Sequence, residues 1–69
     1  MLLLDIGKTI KKRRKELKIT QPSLARLTGV SVNTISQIET GRLNSSVLTL
    51  NKILEVLGMD FEIVVKKLI

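Results

Sequence analysis

The chain has 69 residues and carries twelve lysines and arginines against six acids, a formal net charge of +6. That length makes one domain at most, and so small a core usually needs compact helices, a partner subunit or both. With no cysteine and no histidine, there is no disulfide framework, no zinc-finger spacing and no imidazole to act as ligand or general base, so neither a metal nor a cofactor is expected.

At the N-terminus, Met1 to Ile6 is apolar, but its run of three leucines is followed by Asp5 and the basic cluster lies downstream. This fits neither a signal peptide nor a membrane span, so a cytoplasmic chain with no membrane partner is expected. Asp5 is placed to cap a first helix running to about Leu17, with Ile6, Ile10 and Leu17 on its buried side and lysines over the rest. Six basic residues lie between Lys11 and Lys18. Such asymmetry favours a polyanion as partner, against the commoner reading of a charge run as a solvated helix face.

The stretch from Thr20 to Gly41 predicts two short amphipathic helices around a glycine-centred turn, the layout of a DNA-reading helix-turn-helix. Thr20 is a good N-cap, and Pro22 falls in the first turn, where its missing N–H costs nothing. Leu24, Ala25 and Leu27 supply the inward face, Gly29 ends the helix, and Val30 drops into the core. Ser31 opens the next helix by capping the N–H of Asn33 or Thr34, while Ile35 and Ile38 point back towards Leu24 and Ala25. The outward face is then Val32, Asn33, Thr34, Ser36 and Gln37. These side chains are short, polar or methyl-bearing, which suits a helix that enters a groove roughly 12 Å wide and touches base edges.

After Gly41, Arg42 to Ser46 mixes turn formers with no period and reads as a loop. Ser46 caps a fourth helix, in which Leu50, Ile53, Leu54 and Leu57 fall at i, i+3, i+4 and i+7 and form one apolar stripe ending at Gly58. Beyond it the period changes to two. Phe61, Ile63 and Val65 alternate with Asp60, Glu62, Val64 and Lys66, which predicts one strand; the alternative is a frayed tail with a helical extension. A lone strand needs a partner, and the same strand of a second chain can supply it. Antiparallel pairing about Val64 would set Glu62 opposite Lys66 of the mate, so Phe61 to Lys66 is the expected dimer strand. The fold class is therefore all-α, four short helices plus one C-terminal strand, divided into a DNA-binding unit over 5–58 and a dimerisation segment over 59–69.

Through Thr20-Gln21, Leu24-Ala25, Gly29-Val30-Ser31, Ile35-Ser36 and Ile38-Glu39 followed by Gly41, the chain resembles the Xre/Cro family of phage-repressor-like DNA-binding domains. The similarity extends from about Ile6 to Gly58. It implies base reading by Val32, Asn33 and Gln37, with Thr34 and Ser36 on bases or phosphates. It also implies a phosphate contact by Gln21 at the positive end of its helix, with Arg42, Asn44 and Ser45 as further phosphate candidates. Arg14 and Glu39 occupy positions that the family pairs, which implies a structural, bidentate ion pair that anchors the angle of the second helix of the helix-turn-helix and leaves Arg14 no free phosphate contact; as an exposed pair it is expected to contribute little to stability. Asn and Gln bond bidentately to adenine and a valine methyl packs on thymine, so A·T pairs are expected in the half-site. Three residues depart from the family pattern: Ser45 replaces a common proline, Pro22 a helix former, and Arg13 an apolar residue, which would have to extend its guanidinium from a half-buried site.

The helix-turn-helix followed by a strand is also similar to Hip-type antitoxins, whose dimers share a two-stranded sheet. Two functional readings follow. One is a homodimeric repressor on double-stranded DNA, with an inverted-repeat operator whose half-sites lie about 34 Å apart. Neutralising around six phosphates would give it a log–log salt slope near −5. The other is an antitoxin that neutralises a toxin protein and represses its own operon. An enzyme is the least favoured class, since Asp5, Glu16, Glu39, Glu55, Asp60 and Glu62 form no paired-carboxylate motif and no nucleophile-and-base motif occurs.

Overall fold

The computed structural model describes residues 3–63 and 65, which form four helices: α1 over Leu3–Glu16, α2 over Gln21–Thr28, α3 over Val32–Glu39 and α4 over Val47–Val56. Helix α1 begins ahead of Asp5, which lies in its first turn instead of capping it. The added turn has tertiary support: Leu4 packs against the residues following α3, where a methyl on Gly41 would come within 2.8 Å of the Leu4 Cα. Three hydroxyl caps start the other helices. Thr20 accepts from the Ser23 N–H, Ser31 from the Thr34 N–H and Ser46 from the Thr49 N–H, each satisfying a donor that the first turn leaves without a helical partner.

Three helix ends share one hydrogen-bond arrangement. After α1 the Ile19 N–H reaches the Arg14 carbonyl, after α3 the Arg42 N–H reaches Gln37, and after α4 the Met59 N–H reaches Leu54. In each case the preceding residue has positive φ: Lys18 at 57°, Gly41 at 72° and Gly58 at 69°. This is the Schellman closure, in which orphan carbonyls of the last turn are satisfied and the chain reverses sharply. Arg13 reinforces the third, donating from Nε to the Leu57 carbonyl at 2.9 Å. The sequence departure at this position thus has a structural use: an α1 side chain closes the C-terminus of α4.

The core contains Ile10 of α1, Leu24 of α2, Ile35 and Ile38 of α3, and Leu50, Ile53, Leu54 and Leu57 from α4 and its end. Burying a leucine or isoleucine contributes about 1.5–3 kcal/mol, so these eight side chains supply most of the driving force in so short a chain. Two residues expected inside are not. Leu27 is 63% exposed and Leu17 39%. On α2 the inward line runs through Gln21, Leu24 and Thr28, and Thr28 Oγ1 sits there comfortably because it donates to the Leu24 carbonyl at 2.7 Å. Leu27 lies one residue off that line. Leu17 comes after the last α1 residue, where the helical period no longer governs direction.

The expected C-terminal strand is not seen among the described residues. Met59 to Ile63 and Val65 have no regular structure, and Val64 and Lys66 lie outside the described residues. A strand exists only through its ladder partner, and among the described residues of one chain every other element is helical.

Candidate nucleic-acid interface

Helix α3 is an eight-residue helix with two unlike faces. Ile35 and Ile38 are buried, whereas Val32, Asn33 and Gln37 are exposed and Thr34 and Ser36 half-buried. No side chain on that outer face is charged. Thr34 is partly committed already, since Ser31 Oγ donates to Thr34 Oγ1 at 2.8 Å while accepting from the Thr34 N–H. Arg42 and Asn44, both exposed, and the half-buried Ser45 lie in the loop between α3 and α4.

The C-terminal end of α3 is held by an ion pair. Arg14 Nε donates to Glu39 Oε2 at 2.7 Å and Arg14 Nη2 to Glu39 Oε1 at 3.0 Å, while Nη1 donates to the Ile19 carbonyl at 2.9 Å. The pair is not exposed as expected: Arg14 is 8% and Glu39 4% accessible. The sequence pattern could not reveal this, because burial here arises from the crossing of α1 over α3. Gln21 Nε2 also donates to Glu39 Oε1, at 3.1 Å. The three residues therefore form a continuous network from α1 through the end of α3 to the start of α2.

Burial disfavours the charged form of Glu39, but hydrogen bonds from Arg14 and Gln21 and the charges of Arg14 and Lys11 outweigh it, and its pKa is lowered. The Arg14 pKa is raised, chiefly by its hydrogen bond to Glu39 and further by that residue's charge, against the opposing effect of burial. Both shifts stabilise the ionised pair. No buried side-chain nitrogen or oxygen among the described residues lacks a hydrogen-bond partner.

Gly7 is a site residue that the sequence reading passes over. It is buried in the middle of α1, and a methyl placed on it would overlap the carbonyl oxygens of Ile38 and Glu39. The crossing that seats the ion pair therefore needs a residue with no side chain at this point. A glycine inside a helix, about 1 kcal/mol worse than alanine, was the signal that could have found it.

The sequence model of a helix-turn-helix family, HTH_3, matches residues 10–64. The chain belongs to this helix-turn-helix family. Its members of the Xre type are DNA-binding transcriptional regulators, and the chain is one of them. The family match includes α3 and the turn before it, the residues whose geometry is described above. Among solved structures, the chain is similar to the restriction-modification controller protein C.AhdI from Aeromonas hydrophila, with 24% identity, a TM-score of 0.80, and coverage of 84% of this chain and 88% of that one. That likeness concerns the fold. No curated protein sequence matches the chain. Among the described residues, no helix of this family member is long and apolar enough to cross a membrane.

Proposed function

We propose that the chain is a sequence-specific repressor that binds an inverted-repeat operator as a homodimer, with α3 in the major groove. The observation that carries this reading is the uncharged, solvent-facing side of α3 on a helix whose far end is clamped by a buried ion pair. A recognition helix must present side chains at a fixed angle, and that clamp supplies the angle. Val32, Asn33 and Gln37 read bases, with Thr34 and Ser36 able to touch either bases or phosphates. Gln21, Arg42, Asn44 and Ser45 contact phosphates. Because Gln21 Nε2 already donates to Glu39, its phosphate contact uses the second amide hydrogen or the backbone N–H at the start of α2.

Dimerisation is assigned to the segment over 59–69, with the DNA-reading unit over 5–58. Ile63 and Val65 are 100% and 97% exposed, and the residues just before them, Met59 to Glu62, line a groove together with Ile6, Thr9 and Leu54. Apolar side chains left in water at period two support pairing with the same segment of a second copy, which would include Val64 and Lys66. The same exposed segment supports the second reading, in which it also serves an antitoxin that binds a toxin protein. Isolation of the tagged chain from its host after nuclease and high-salt treatment separates the two: a stoichiometric second protein supports the antitoxin, a bare homodimer the free-standing repressor.

The DNA reading is tested by selecting duplexes from a random pool. Wild type is expected to enrich an inverted repeat containing A·T pairs. Asn33→Ala or Gln37→Ala should relax preference at one position per half-site, by about 1–3 kcal/mol. Equal losses on selected and random duplexes would count against the assignment of these residues to bases.

A further inference from the structure

The lysines of α1 are not used by the reading above. Lys11 lies between Gly7 and Arg14 at i+4 and i−3, so the three share one side of the helix. Gly7 rests on the last carbonyls of α3, and Arg14 holds Glu39. Lys11 thus borders the end of α3, and its charge is felt by Glu39. Lys15 follows one turn further on the same side, and Lys18 occupies the reversal after α1, three residues before Gln21, where α2 begins. All three lysines are exposed, and no side-chain hydrogen bond or ion pair engages them within the described residues.

We propose that Lys11, Lys15 and Lys18 form a cationic ridge that follows the phosphate backbone flanking the base-reading helix, so that α1 is part of the DNA contact surface. This rests on the DNA-binding reading and extends its footprint. The ridge starts beside the end of α3 and ends three residues ahead of Gln21, at a helix N-terminus that attracts the same phosphates. Lysines suit this role because phosphate contacts fix position without reading sequence. Lys12 does not belong to the ridge. It points about 100° further round α1 than Lys11, away from the side that meets α3.

The test compares two variants that lose the same charge. Lys11→Gln/Lys15→Gln removes two ridge lysines; Lys12→Gln/Lys52→Gln removes two exposed lysines elsewhere. Binding to a random 40-base-pair duplex is measured across a salt series, with thermal unfolding as the control for folding. Each lost phosphate contact lowers the steepness of the log–log salt dependence by about 0.9. The ridge variant is expected to lose about two such contacts per protomer, and the control variant to keep the wild-type slope. Equal slopes for wild type and ridge variant would overturn the proposal, as would equal losses in both variants, which would indicate a general field with no direct contact. Wild-type protein that binds no duplex at low salt would instead refute the DNA-binding reading itself.

Discussion

At the scale of single residues, Glu39 decides most. It ends α3, it is nearly inaccessible, and it accepts from both Arg14 and Gln21. Removing one partner leaves the other charge buried, so Arg14→Met alone or Glu39→Leu alone should destabilise by about 3–5 kcal/mol, while the double substitution should recover much of that loss. Urea denaturation of the three variants measures this. The pH dependence has a definite sign. Because the folded-state pKa of Glu39 is lowered, its contribution is complete above the ordinary glutamate value of about 4.3 and is lost as pH falls through the folded value. Arg14 is shifted upward, so its contribution is lost only at alkaline pH beyond the ordinary arginine range. Wild type should therefore lose stability as pH falls below the ordinary glutamate range, and Glu39→Gln, already weaker at pH 7, should show a shallower loss on the same acid side.

At the scale of elements, the contact of α1 with α3 depends on Gly7. Alanine is the better helix former, yet Gly7→Ala should destabilise by about 1–3 kcal/mol, because its methyl would push apart two backbones that cannot repack. A fall in the thermal midpoint would show that packing outweighs propensity, and a rise would show that the crossing can yield. The same elements mark how far the sequence could be read. Four helices were legible because apolar stripes and caps are local signals, with Leu50, Ile53, Leu54 and Leu57 along α4 and Thr20, Ser31 and Ser46 at the starts of α2, α3 and α4; the start of α1 was not, because its first turn rests on Leu4 meeting Gly41 and not on a cap by Asp5. Tertiary features were not legible. The burial of Arg14 and Glu39, the hydrogen bond from Arg13 to Leu57 and the outward turn of Leu27 depend on which helix crosses which, and no spacing along one helix encodes that. The uncharged face of α3 could be outlined from helical period, but the amide contact of Gln21 with Glu39 joins residues from two helices and depends on how they meet. The alternation from Phe61 to Lys66 is a real pattern of side chains, whereas a strand is a relation between two segments.

At the scale of the whole molecule, the exposed Ile63 and Val65 give the proposed assembly a measurable consequence. Replacing both with lysine should leave the four-helix unit folded, since neither belongs to its core, and should shift sedimentation from dimer to monomer. Affinity for an inverted repeat should then fall far more than affinity for a single half-site, because two linked contacts reinforce each other only when geometry lets both engage. A variant that remains dimeric would move the interface elsewhere. Arg13 gives this coupling a mechanical side. By gripping the Leu57 carbonyl from α1, at the point where the Met59 N–H folds back onto Leu54, it ties the end of α4 to α1 like a bracket. In the proposed dimer, two copies joined through the segment that follows this bracket would hold their α3 helices at one separation, as the fixed arms of a gauge do. Operators with the right half-sites at the wrong spacing would then be rejected by the bracket alone, with no base contact involved.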